Sequence, residues 1–137
     1  MNTNNMTVDL MPTLRKVSVP AGKLILNPNN PRYLEHDDNL TDENNFLDPG
    51  IIEETHKRML KDAYQIDEIE RSIVTNGWQP VDQIFVQRHQ DTDYYVVQEG
   101  NRRVTAIRNL LKMPDLDEEL RQRIEHLDVM EIINDCD

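Results

Sequence analysis

The stretch Tyr94-Tyr95-Val96-Val97-Gln98-Glu99-Gly100-Asn101-Arg102-Arg103-Val104-Thr105-Ala106-Ile107-Arg108-Asn109-Leu110-Leu111 changes its period halfway along. Tyr94 to Val97 is a run of aromatic and β-branched residues, which favours a strand. Gly100-Asn101 breaks that strand. Val104, Ile107, Leu110 and Leu111 then recur at the spacing of one helical face, reaching about Lys112 before Pro114 ends the segment. A strand that turns through glycine straight into a helix leaves the helix's first N–H groups unpaired, with the positive end of its dipole beside them. Such a corner favours an anion.

Two arginines sit in that first turn, Arg102 and Arg103. A cation at a helix N-terminus is unfavourable by about 0.3–1 kcal/mol, so a pair of them calls for a reason. Guanidinium forks bind phosphate oxygens bidentately and keep their charge at any relevant pH. Gly100, Asn101, Arg102 and Arg103 are therefore the candidate phosphate-binding residues. The plainer reading gives Gly100 a tight turn, makes Asn101 an ordinary N-cap and leaves both arginines in solvent.

Working back from this corner, Ile84-Phe85-Val86 reads as the hairpin partner of the Tyr94–Val97 strand across the turn at Asp91-Thr92-Asp93. Its polar neighbours Gln83 and Gln87 suit an edge of the core. Upstream, Asp67 with Glu70 three residues on resembles a capping box. It opens a helix whose Ile66, Ile69 and Ile73 face the core, and Asn76-Gly77 stops that helix. Asp48-Pro49 gives an N-cap followed by proline at the first helical position. That helix is expected to carry Ile52, Met59, Leu60 and Ala63 along one stripe and to end near Tyr64. Glu35 to Asp48 is polar and acidic and reads as a mobile loop.

Further back, Val17 and Val19 alternate as in a short strand, Pro20 and Gly22 break it, and Leu24-Ile25-Leu26 is a buried apolar segment. Asn27-Pro28-Asn29-Asn30-Pro31-Arg32 follows, stiffened by two prolines. Arg32 either adds a third positive fork to the phosphate corner or pairs with acids such as Glu35 and Asp37; the residues alone leave both open. Downstream of Pro114, a charged helix from about Leu116 to His126 offers Leu120, Ile124 and Leu127 to the core, and Val129, Ile132 and Ile133 suggest a closing strand. The expectation is an α+β fold, a small mixed sheet flanked by helices, with residues 1–14 a flexible leader and 15–137 one domain. Within it, the acidic loop and helix at about 35–64 read as an insertion.

Composition narrows the function classes. With 26 acidic against 15 basic side chains among 137 residues, the net charge of -11 opposes non-specific attraction to nucleic acid or anionic membrane. Any anion site must be a local basic spot. The lone cysteine, Cys136, offers neither a disulfide framework nor a cysteine cluster. His36, His56, His89 and His126 lack paired ligand spacing, so no metal site is expected on them. The first residues carry no basic and apolar signal pattern, and no apolar run approaches the roughly 20 residues that cross a bilayer, so a cytoplasmic location without a membrane partner is expected. Trp78 and Tyr95 could stack on a base, although core packing is the commoner fate of such residues.

Taken in order, these motifs resemble those of the N-terminal domain of ParB-type partition proteins. Leu26-Asn27-Pro28-Asn29-Asn30-Pro31-Arg32 looks like their first signature box. Asp67 to Pro80 is similar to the segment that follows it, and Gly100-Asn101-Arg102-Arg103-Val104-Thr105-Ala106 looks like the second box. The resemblance covers roughly residues 16 to 133. It implies the ParB/sulfiredoxin fold and a nucleotide triphosphate, CTP or ATP, bound with Mg2+ as a switch or phosphoryl source within a DNA-associated bacterial or phage protein. Members of that superfamily use CTP as a DNA-clamp switch, ATP for sulfinic acid repair or ADP for serine phosphorylation.

Carried over by position, Arg32, Gly100, Arg102 and Arg103 would contact phosphates, with Asn101 capping the helix beside them. Asn101 stands where partition proteins carry a glutamate associated with hydrolysis, and an amide is no base. Glu99 or Glu68 would have to supply the catalytic carboxylate, which puts NTPase activity in question. The sulfiredoxin cysteine is missing from the Gly100 region. DNA contact is expected only through a further domain, and a protein partner or homodimer is compatible with the acidic loop. Two alternatives stand beside this reading: a ParB-like nuclease, and an interaction module whose nucleotide site has decayed.

Overall fold

A computed structural model describes residues 13–30, 40–61, 64–79 and 83–133. The described chain is α+β. A five-stranded mixed sheet is formed by β1 (Thr13–Pro20), β2 (Leu24–Leu26), β3 (Phe85–Arg88), β4 (Tyr95–Glu99) and β5 (His126–Ile133), in the order β1-β5-β3-β4-β2. Four α-helices accompany it: α1 (Pro49–Met59), α2 (Ile66–Asn76), α3 (Asn101–Leu111) and α4 (Glu118–Glu125).

The hairpin of β3 and β4 is antiparallel, as its turn residues imply. β3 is the central strand of the sheet, flanked by β4 and β5. Only the exposed face of β3 carries Gln87, and Val86 on the opposite face is fully buried. The polar neighbour reported an alternating strand with one solvated face, and alternation is silent about lateral position. β2 lies parallel to β4, β5 parallel to β3, and β1 antiparallel to β5 along its whole length from Thr13↔Ile133 to Pro20↔His126. The strand therefore starts at Thr13, within the stretch read as leader. Residues 1–12 lie outside the described residues. Across the outer pair, the buried carboxylate of Glu131 accepts from Arg15 at 2.8 Å, which supplies the charge partner that burial demands.

One core joins the sheet to the helices. Val19, Leu24, Leu26, Val86, Val97, Leu127 and Val129 from the strands meet Met59, Ile66, Ile73, Val104, Ile107, Leu110, Leu120 and Ile124 from the helices. Met59, on the expected apolar stripe, brings α1 into this core. Ile25 and Val96, register partners on β2 and β4, are buried outside that cluster.

The described part of the acidic loop has fixed internal bonds. Thr41 and Asn29 exchange two hydrogen bonds, of 2.7 and 2.8 Å. Asp42 caps a 3-10 turn at Glu43–Asn45, and Phe46 is buried with its ring stacked on His89 at 5.5 Å. The apolar Phe46 anchors what its polar neighbours made look mobile.

Helix ends follow local chemistry in part. Asp48 caps α1 by accepting from Gly50 N–H, and Gly77, at φ 79°, closes α2. The capping box at Asp67 does not form: the cap position is Gln65, at φ 55° with no side-chain cap bond, and Glu70 accepts from Asn109 instead. α1 ends at Met59 rather than near Tyr64, and Leu60 is 46% exposed rather than on the core stripe. Ala63 lies outside the described residues. The Leu60 N–H turns back to the carbonyls of Lys57 and Arg58, which tightens the last turn and stops the helix.

Candidate nucleotide site at the start of the third helix

The corner between β4 and α3 takes the shape its residues favour. Gly100 adopts φ 108° as the cap residue, and a Cβ built there would sit 3.0 Å from Ile84 Cγ1. Only glycine fits that corner without displacing a core side chain. Asn101 is the first helical residue and not the cap, which corrects the expected capping role. Its side chain is turned inward, 2% exposed, and Oδ1 accepts the backbone N–H of Asn27 at 3.1 Å. Nδ2 of the same amide is buried with no hydrogen-bond partner. Thr105, one turn on, donates its hydroxyl to the Asn101 carbonyl.

Asn101 thus brings together the two stretches that the sequence singled out. The Asn27–Asn30 turn is further held by Asn27 Oδ1 accepting from Asn29 N–H and by Arg58 of α1, whose Nη1 donates to the Pro28 carbonyl at 3.4 Å. Sequence reasoning missed Arg58. No local signal marks it, because a basic residue in the last turn of a helix is ordinary. Arg32 lies outside the described residues.

The paired arginines diverge, as neighbours on a helix must. Arg102 is half-buried and its Nε donates to the Tyr64 carbonyl at 2.9 Å, tying α3 to the entry of α2. Arg103 is half-buried and lines a cleft of about 540 Å³. Glu68, Ser72 and Asn76 of α2, with Trp78 and Gln79 beyond it, form the other walls. Arg103, Glu68 and Trp78, singled out separately in the sequence, therefore share one concavity. Glu99 is exposed at the end of β4 and is not among the residues lining it. Tyr95 stands apart from this group: Arg88 lies over its ring at 5.6 Å and donates to its hydroxyl. Trp78 and Tyr95 both pack partly against the core.

Among the described residues, no group of three or more His, Cys, Asp or Glu side chains is placed to hold a metal ion. Glu68 and Ser72, one helical turn apart on the cleft wall, are hard oxygen donors of the kind Mg2+ accepts when phosphates supply most of its shell. No described helix is long and apolar enough to cross a membrane. Comparison of the chain with protein-family models, curated proteins and solved structures returned no match.

Proposed function

We propose that this chain is a ParB-like domain that binds a nucleotide triphosphate, CTP or ATP, at the start of α3. The observation that carries this reading is the Asn101 amide. It is buried at the positive end of a helix, spends its oxygen on the proline-rich turn and keeps an unpaired donor. An unsatisfied buried N–H costs about 1–3 kcal/mol, and an acceptor-rich ligand beside it removes that cost. The cleft lined by Arg103, with Trp78 on its wall, adds a cation and a flat apolar surface. In this reading Gly100 and Asn101 border the phosphates, Arg103 pairs with them, and Arg102 holds the helix in place through Tyr64. Arg32, which follows Pro31 in the sequence, is proposed as a further phosphate contact. Mg2+ would be held chiefly by phosphate oxygens, with Glu68 the protein carboxylate at hand. Glu68 is then the preferred candidate over Glu99 for positioning a water, and the nucleotide acts as a switch where turnover is absent.

Calorimetric titration with CTP and with ATP, each with and without Mg2+, tests the reading. Binding tighter than millimolar is expected for one of them, and Arg103→Ala should weaken it at least about tenfold, the worth of one charge-assisted phosphate pair. If no triphosphate binds that tightly, or if Arg103→Ala and Arg102→Ala both bind as the parent does, the nucleotide reading fails and the interaction module takes its place. No specific observation among the described residues favours the nuclease.

A further inference from the structure

Two large apolar side chains that remain exposed, Val74 at 57% and Met113 at 38%, line the same depression. It is a cleft of about 520 Å³ between the C-terminal end of α2, the connection from α3 to α4, and α4 itself. Leu116 and Leu120, one helical turn apart in spacing, carry its apolar lining down to the interior. Leu120 belongs to the core cluster, and Leu116 packs partly against it. Hydrogen bonds hold the shape in place. Arg121 donates to the carbonyls of Leu111 at 2.9 Å and Met113 at 2.6 Å, and Asp117 caps α4 by accepting from the Leu120 N–H at 3.1 Å. Gly77 is the one residue this cleft shares with the cleft lined by Arg103.

Apolar side chains exposed singly need no explanation, whereas a contiguous apolar concavity with a polar rim marks an interaction site. The charges around it select the occupant. Asp115, Asp117 and Glu119 stand on the lining against one guanidinium, Arg123, which Glu119 already engages at 3.5 Å. Among the described residues no cation pairs with Asp115 or Asp117. Such a rim repels nucleic acid and anionic membrane and attracts Lys and Arg. A second copy of this chain, at net charge -11, is repelled as well.

The exposure of Val74 and Met113 leaves the cleft open rather than enclosing. A small molecule needs most of its surface covered, while an amphipathic helix needs only a groove for one apolar face. We propose that this cleft docks a basic amphipathic segment of a partner protein. The apolar face of the segment rests on Val74, Met113, Leu116 and Leu120, and its Lys or Arg side chains meet Asp115 and Asp117. The site is separate from the Arg103 cleft and does not depend on nucleotide.

The probe is a fluorescently labelled synthetic peptide of about 15 residues, long enough to form a helix, with leucines on one face and lysines on the other. Its anisotropy is followed as the full chain is added at about 0.15 M salt. The parent should bind it. A peptide with serines in place of the leucines, and one with glutamates in place of the lysines, should each bind at least about tenfold more weakly. Val74→Ser and Met113→Ser combined in one chain should also weaken binding at least about tenfold and, because both side chains are exposed, should melt close to the parent. Asp115→Asn should weaken binding about threefold and reduce its salt dependence. Leu40→Ser, at an exposed apolar position elsewhere, and Arg103→Ala should both leave affinity unchanged. The proposal is overturned if the parent does not bind the leucine-lysine peptide, if the double serine variant or Asp115→Asn binds it as the parent does, or if Leu40→Ser weakens it as much as the double variant. It is equally overturned if the parent sediments as a dimer that the double serine variant breaks, since a second copy then fills the cleft.

Discussion

His56 shows how a single side chain records a neighbourhood that its flanking sequence does not mention. Its pKa lies below the ordinary 6.5 in the folded chain, through burial and through Lys112 and Arg108 on the neighbouring helix. The unfolded chain therefore takes the proton first. The stability associated with neutral His56 is fully present above about pH 6.5 and is lost as pH falls toward the lowered folded value. Between pH 7 and pH 5, the urea midpoint of the parent should fall further than that of His56→Gln, whose amide does not titrate in this range. Equal slopes for the two proteins would remove His56 from the acid response. At this scale the sequence singled out Gly100, Asn101, Arg102 and Arg103 at the start of a helix, and the structure moves the cap from Asn101 to Gly100. The sequence could not assign their partners. The Asn101 amide meets Asn27, 74 positions away in the chain, and Arg102 meets a carbonyl 38 positions away.

Among the elements, the junction of β4 and α3 carries the most. Its strand, its glycine and its helix were all legible, because the change from strand to helical periodicity is local. The strain at Gly100 was not, since it depends on Ile84 lying against the turn. Gly100→Ala should cost about 1–3 kcal/mol in a urea melt, from the positive φ together with the contact at 3.0 Å. Because the same turn sets Asn101 against Asn27, the proposed nucleotide reading expects CTP or ATP affinity to fall with it. A change below about 0.5 kcal/mol would mean that the corner relaxes freely. The first turn of α2 is the counter-example. Asp67 and Glu70 have capping-box spacing, yet the helix begins earlier from a left-handed Gln65, and Glu70 is taken by Asn109. Tertiary hydrogen bonding outcompeted a local cap whose worth is only about 1 kcal/mol.

Across the whole molecule, β5 holds the sheet together. It lies between β1 and β3, so β1 pairs with no other strand among the described residues. β5 also brings Leu127 and Val129 into the core. Burying those two side chains is worth about 3–6 kcal/mol together, the order of a whole domain's net stability. Deleting residues 126–133 should therefore abolish cooperative thermal unfolding followed by circular dichroism, whereas an intact sigmoidal melt would show that β1 and the β2-β4-β3 unit fold independently of it.

What the sequence determined by itself was short-range: which residues alternate, where glycine and proline break an element, where a helix begins behind a glycine, and the acidic balance that confines any anion to a local site. These follow from backbone sterics and periodicity acting over a few residues. The tertiary structure decided the strand order, the central position of β3, the end of α1 at Met59 and the grip of Asn101 on the proline-rich turn. Each of these depends on which distant segment arrives alongside, and that is settled by burying one shared core rather than by any residue's neighbours in the chain.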